Sequence, residues 1–213
     1  MAKLKKLIIA CDGESASGKS TAAKLISKKY KLKLINSGLI YRYCSKLVIQ
    51  YKPKDIIFFL KKKLNVVSYE KIKKQKLHSE KISNHVAILA KEKKIREIVN
   101  NLQKKIIKSN TRICVEGRDI ASKILAKNPK YDLAFYFRCS LDVAAYRRWI
   151  DLKKSVSLKE VKKSLKMRTH LDKKRKNSPL IKVKDAIVIR SDKLNKKEVL
   201  SKISKEIDKK IKN

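Results

Sequence analysis

Residues Gly13-Glu14-Ser15-Ala16-Ser17-Gly18-Lys19-Ser20, followed by Thr21, spell G-x-x-x-x-G-K-S. The chemistry of that spacing is the cradling of a phosphate chain: backbone N–H groups converge on an anion at a helix N-terminus, where the macrodipole adds to the attraction. Lys19 would reach the β- and γ-phosphates, and Ser20 would hold Mg²⁺ through its hydroxyl. The chain has only four glycines, Gly13, Gly18, Gly38 and Gly117, so each is expected where a side chain is not tolerated, at a positive φ or at close approach to a ligand. Two of the four belong to this motif. Its expected ligand is a nucleoside triphosphate.

Such a loop needs a strand before it and a helix after it. Leu7-Ile8-Ile9-Ala10-Cys11, within residues 5–11, has the continuous apolar character of a strand buried on both faces. After the loop Ala22, Leu25, Ile26 and Tyr30 recur at helical spacing. Further short apolar segments at 32–35, 112–115, 133–137 and 186–189 alternate with helical ones, which predicts a five-stranded parallel α/β sheet flanked by helices. Residues 95–107 put Ile95, Ile98, Val99, Leu102 and Ile106 on one helical face, and 195–212 do the same with Val199, Ile203, Ile207 and Ile211. Ser157 with Glu160, and Asn195 with Glu198, have the spacing of capping boxes. The stretch 61–81 is the least regular and, with the helices before it, reads as an insertion after the second strand. No repeat or linker is visible.

The length of 213 residues suits a single domain with a real core, and 43% apolar against 36% charged excludes disorder. The longest apolar runs are five residues, as at 7–11, 56–60 and 133–137, against the roughly 20 that a spanning helix requires. Met1-Ala2-Lys3-Leu4-Lys5-Lys6 is basic like a secretory leader, but the apolar stretch that follows is too short and has no cleavage site, so the expected location is the cytosol. Cys11, Cys44, Cys114 and Cys139 are scattered through apolar segments with no C-x-x-C pair, the pattern of reduced core thiols. His78, His85 and His170 lie apart and form no metal-ligand spacing.

The net charge of +39 first suggests a polyanion partner. However, the 48 lysines are spread over nearly every segment and are rarely interleaved with aromatics, unlike a stacking platform for single strands. A solvated lysine coat, with no specific nucleic acid as partner, is the expectation. Against that background the ten arginines stand out, because Arg is needed where a rigid fork must grip a phosphate. Arg42, Arg96, Arg118, Arg168 and Arg175 each sit in a motif-like setting, while Arg147 and Arg148 are candidates to stack on adenine.

These residues carry a resemblance to the bacterial cytidylate kinases, members of the nucleoside monophosphate kinases, over essentially the whole chain. The matching pieces are Asp12-Gly13 through Ser20-Thr21, Asn36-Ser37-Gly38-Leu39-Ile40-Tyr41-Arg42, Ile95-Arg96-Glu97, Gly117-Arg118-Asp119, and Arg168, Asp172 and Arg175. Asn36 and Glu116 replace the aspartates of the family's D-S-G-x-x-Y-R and D-G-R-D, Glu116 keeping the carboxylate and adding a methylene. The resemblance implies one kinase domain over 1–213, with the core at 1–38, 110–155 and 184–213, a monophosphate-binding insertion at 39–109 and a lid at 156–183. It implies ATP and Mg²⁺, the metal near Ser20 and Glu116, with CMP and dCMP as acceptors. No membrane partner is implied, and a monomer is the expected state.

The same resemblance implies roles that chemistry can check. Transfer to a phosphate acceptor needs no strong base, because the attacking oxygen is already ionised; it needs neutralisation of charge and exclusion of water. Lys19, Arg118, Arg168 and Arg175 would neutralise the transferring group, the last two from the lid. The stretch 166–177 is dense in Lys and Arg around one carboxylate, Asp172, and should repel itself open until phosphates arrive. Arg42 and Arg118 would take the acceptor phosphate, with Ser37 and Gly38 beside it and Asp172 on the sugar. Asp119 would accept from the cytosine N4 amine while Arg96 donates to N3 and O2, a pattern uracil does not match. Asp119 reads equally well as a helix N-cap before Ile120. Nine residues before Arg96, where the family offers a Ser to the base, this chain has Ala87, so cytosine selection is expected to be weaker or to be restored by Ser83 or Asn84. Two other readings stay open: a small P-loop kinase acting on UMP, AMP or an alcohol, and an RNA-binding ATPase that uses the positive charge.

Overall fold

Leu7–Gly13 is buried at every position, and only a strand with neighbours on both sides and cover on both faces accommodates that. In the computed structural model, which describes residues 5–212, this strand is β1 and lies at the centre of a five-stranded parallel sheet of order β2-β3-β1-β4-β5. The other strands are β2 (Lys33–Asn36), β3 (Arg112–Gly117), β4 (Leu133–Arg138) and β5 (Ile187–Arg190), of which β3 and β4 pair with β1. All five strands fall within about two residues of the predicted segments, the usual uncertainty of an element's end. Met1, Ala2, Lys3 and Leu4 of the basic start lie outside the described residues. No helix among the described residues is long and apolar enough to cross a membrane.

The chain divides into two compact units, residues 1–35 with 111–213, and residues 36–110. In the first, Leu7, Ile9 and Cys11 on alternate positions of β1 join Cys114, Phe135, Phe137 and Ile189 on one face of the sheet. Helix α1 (Lys19–Lys29) lays Ala22, Ala23 and Ile26 against them. The last helix of the chain, α9 (Lys196–Lys212), adds Val199, Ile203 and Ile207 at its predicted four-residue spacing. Burying this much aliphatic surface is the main source of stability. Cys11, Cys44 and Cys114 are buried free thiols, and Cys139 is half-buried. Two further helices, α7 (Leu141–Asp151) and α8 (Leu158–Lys174), pack through Ala144, Ala145, Val161 and Leu165. The capping box at Ser157 and Glu160 forms as expected, and at the start of α9 Asn195 and Glu198 exchange the same reciprocal bonds.

The second unit is helical: α2 (Ser37–Tyr51), α3 (Ile56–Val66), α4 (Tyr69–Lys73), α5 (Glu80–Leu89) and α6 (Lys93–Lys108). The stretch read as irregular, 61–81, contains the end of α3 and all of α4. Ser68 accepts from Lys71 N–H there, and Ser79 accepts from Ile82 N–H. Asp55 caps α3 in the same way at 2.9 Å. Short helices of this kind are held by their caps and by packing rather than by propensity, which is why periodicity alone did not reveal them.

Candidate active site

In a parallel sheet ligands bind beyond the carboxyl ends of the strands, where the connections diverge to the two sides. Here those ends are Asp12 and Gly13 of β1 and Glu116 and Gly117 of β3, set in register, Cys11 opposite Glu116 and Asp12 opposite Gly117. The loop 13–20 leaves β1 and turns into α1 through Gly18, whose φ of 82° is the left-handed conformation that glycine tolerates best. Ala16 also takes a positive φ, 56°, so the left-handed backbone is not confined to glycines. Of the four glycines only Gly13 and Gly18 have positive φ, and at Gly13 the constraint is space: an added Cβ would stand 2.4 Å from the Phe137 carbonyl oxygen.

Lys19 is buried at the start of α1 with its Nζ 3.5 Å from the Glu14 carbonyl oxygen. Burial, followed by the neighbouring Arg118 guanidinium, lowers its ammonium group from the ordinary 10.5 to about 7. A buried cation kept in so unfavourable a place is a site for an incoming anion. Beside it, Ser20 Oγ donates to Glu116 Oε2 at 2.6 Å. The longer arm of Glu116 therefore reaches the hydroxyl, and two hard oxygens lie together next to the phosphate loop, a donor set that fits Mg²⁺. On the far side of the loop a cavity of about 950 Å³ is lined by Lys19, Thr21, Arg147, Ser191, Asn195 and Val199 among others. That is ample room for a nucleoside.

The predicted arginines of this unit gather around one carboxylate. Arg118 Nε donates to Asp172 Oδ2 at 2.9 Å, and its Nη2 donates to Ser15 Oγ of the phosphate loop at 3.2 Å. Arg175 Nη1 approaches Asp172 Oδ1 at 3.4 Å, and its Nη2 lies 3.5 Å from Asp119 Oδ1. Burial pushes the Asp172 carboxyl up, but the guanidiniums of Arg118, Arg175 and Arg168 outweigh it and hold the group below its ordinary range. Lys173 ties α8 to the loop through Glu14 Oε1 at 2.7 Å. Arg118, Arg168, Arg175, Asp119, Asp172 and Lys19 are thus brought together within one unit.

The remaining predicted residues, Ser37, Gly38, Arg42 and Arg96, lie in the other unit. Asn36 caps the start of α2: its Oδ1 accepts from Leu39 N–H at 3.2 Å. Arg42 Nη1 donates to the Leu77 carbonyl at 3.0 Å and to Ser83 Oγ at 2.8 Å. Ser83 in turn donates to the Ser79 carbonyl at 2.8 Å, so the hydroxyl considered as a base reader is engaged in holding Arg42, while Asn84 is exposed. Arg96 is buried, donates to the Ala90 carbonyl at 3.2 Å and stacks its guanidinium 5.6 Å from the Tyr41 ring.

Sequence reasoning missed Ser191 and its link to Arg147, which also lines the cavity beside the loop. Arg147 clamps Ser191 by its Oγ at 3.0 Å and its carbonyl at 2.6 Å, and Ser191 Oγ donates to the Ser17 carbonyl at 3.0 Å. A chain of three residues therefore braces the phosphate loop from β5. These partners are separated by 44 and 174 positions, and no local pattern announces them.

A central β1 that feeds a phosphate-binding loop, with a lysine and guanidiniums waiting at its end, defines a P-loop kinase. The fold is shared with shikimate kinase from Bacteroides thetaiotaomicron, with a TM-score of 0.51, 10% identity and coverage of 95% of this chain and 98% of that one. The family model described as cytidylate kinase matches residues 9–209, and the chain belongs to that family. It is 32% identical to the cytidylate kinase of Listeria innocua over 98% of this chain and 99% of that protein. It is 35% identical to the bifunctional pantoate ligase/cytidylate kinase of Prochlorococcus marinus over 92% of this chain and 42% of that longer protein.

Proposed function

We propose that this enzyme transfers the γ-phosphoryl group of ATP to CMP, and to dCMP, yielding ADP and the cytidine diphosphates. A phosphate oxygen of the acceptor attacks Pγ in line while the bond from Pγ to the ADP oxygen breaks. No proton need be removed from the attacking oxygen, so the task of the protein is to hold two polyanions together and spread their charge. The observation that carries this reading is the buried Lys19 on the phosphate loop with Arg118, Arg168, Arg175 and Asp172 gathered beside it. A kinase acting on an alcohol would need a base rather than a second set of guanidiniums.

In this reading Lys19 and the loop amides hold the donor phosphates, and its nucleoside lies in the cavity beside Arg147 and Asn195. Mg²⁺ would be held by Ser20 and Glu116, and when bound it supplies neutralisation of the donor phosphates. Arg42 and Arg118 take the acceptor phosphate, and Asp172 exchanges its arginine partners for a sugar hydroxyl. Asp119 accepts from the cytosine amine and Arg96 donates to N3 and O2. With uracil, O4 would face the Asp119 carboxylate, a desolvated repulsion of a few kcal/mol, on the order of that for a mispaired polar group. The enzyme acts on small molecules in the cytosol as a monomer.

An ADP-release assay that offers CMP, dCMP, UMP, AMP and shikimate in turn tests the reading. Turnover with CMP and dCMP well above the others is expected. Turnover stimulated only by RNA, or fastest with shikimate, would overturn it.

A further inference from the structure

Asp119 stands just before a helical turn, where a carboxylate serves either to cap that turn or to read a base, and its Oδ1 lies 3.5 Å from Arg175 Nη2. The residues after it, Ile120–Ile124, form a single π-helical turn whose first amides need an acceptor. Asp119 does not supply one: its side chain makes no cap bond. The acceptor comes from across the sheet. Asp12 Oδ1 accepts from Ile120 N–H and Asp12 Oδ2 from Ala121 N–H, both at 2.8 Å, over sequence separations of 108 and 109. Asp12 is 3% exposed and pairs in register with Gly117, immediately before the Arg118-Asp119 turn, while its other neighbour in the chain, Gly13, opens the phosphate loop.

A carboxylate in that position is expensive to keep. Burial pushes Asp12 from its ordinary 3.8 to about 6 despite the two amides that pull it back, so the fold alone would be served better by a neutral residue. Its return lies in what it arranges. We propose that Asp12 is a positioning residue for base selection: by capping residues 120 and 121 from β1, it fixes the backbone that carries the Asp119 carboxylate and so sets its aim at the acceptor's cytosine. The inference rests on the cytidylate kinase reading. It adds that selectivity for the acceptor base is set partly by a residue that touches no substrate.

The test compares wild type, Asp12→Asn and Asp12→Glu with CMP and UMP, and repeats Asp12→Asn in an Asp119→Ala background. Asparagine turns one acceptor into an NH₂ group facing a backbone N–H, so the turn loses half its cap. The KM for CMP should rise about tenfold and the CMP-to-UMP ratio of kcat/KM should fall by a similar factor, with the KM for ATP within about twofold of wild type. Once Asp119 is alanine, Asp12→Asn should change the ratio no further. An unchanged ratio in folded Asp12→Asn, or an equal drop in ratio without Asp119, overturns the inference. Failure of both Asp12 variants to fold does so too, because it would make the residue a structural one. A wild type that turns over CMP confines any such failure to this inference, whereas one inactive on CMP overturns the functional reading beneath it.

Discussion

Replacing Gly13 by alanine probes how tightly the phosphate loop is built onto the sheet. The added Cβ would lie 2.4 Å from the Phe137 carbonyl oxygen and 2.9 Å from its nitrogen and Cβ, atoms of a buried strand that cannot swing aside. Ordinary contact begins at 3.4 Å, so β1 and β4 must part by about 1 Å at the Gly13–Phe137 pair. The same carbonyl accepts the Glu14 N–H at 3.2 Å, and that bond at the mouth of the loop must stretch as well. Overpacking against backbone belongs at the upper end of the usual range, about 3 kcal/mol, which for a chain of this size lowers Tm by roughly 6–12 °C. Two other glycines calibrate the effect. Gly18→Ala meets nothing nearer than Ser191 Oγ at 3.7 Å and bears only the left-handed strain of φ 82°, about 1–2 kcal/mol. At Gly38 the nearest atom is the movable Asn36 Oδ1 at 3.0 Å, and alanine's helix preference offsets the crowding to within about 1 kcal/mol. Urea unfolding of the three variants, with the slope checked for constancy, gives the order. Gly13→Ala no more destabilised than Gly18→Ala would refute the steric reasoning.

Stability should also depend on pH through Asp12. Its native value of about 6 lies above the ordinary 3.8, so between those values the folded protein holds a proton that the unfolded chain has released. The contribution of this group is therefore complete below about pH 4 and is lost as pH rises through 6, by about 3 kcal/mol, and Asp12→Asn should abolish that slope in unfolding midpoints measured from pH 4 to 7. Parallel pH profiles for the two proteins would contradict it. Glu116→Gln should raise the Mg²⁺ concentration needed for half-maximal rate by about tenfold or more, leaving the KM for CMP in place. Arg147→Met unlocks Ser191 and through it Ser17, so the KM for ATP should rise about tenfold while that for CMP moves little; equal rises for both substrates would place the brace elsewhere.

The sequence made the strands and the donor loop legible because their signals are local: apolar runs of the right length, a glycine pattern and caps three residues apart. The lysine coat helped, since an arginine in such a chain marks a need for its fork, and Arg118, Arg168 and Arg175 do meet around Asp172. What could not be read was pairing over long separations. Asp119 read equally well as a cap or a base reader because its neighbour begins a helical turn, and nothing nearby says that Asp12, more than a hundred residues earlier, caps that turn. Ser83 looked available to a base, but Arg42 engages it from another helix. Likewise nothing near Arg147 on α7 announces its bonds to Ser191, 44 positions away. Helix α4 within 61–81 escaped notice because it is only five residues long and depends on the Ser68 hydroxyl at its start.

The central claim is that Lys19 and the guanidinium of Arg118 neutralise the charge of a phosphoryl group passing between two nucleotides. The most direct measurement is CDP formation by Lys19→Met and Arg118→Met, each shown to be folded by its unfolding transition. Each should lose about a hundredfold to a thousandfold in kcat, the scale of one charge-stabilising donor removed from a dry site. CDP formed at the wild-type rate by either variant would contradict the account.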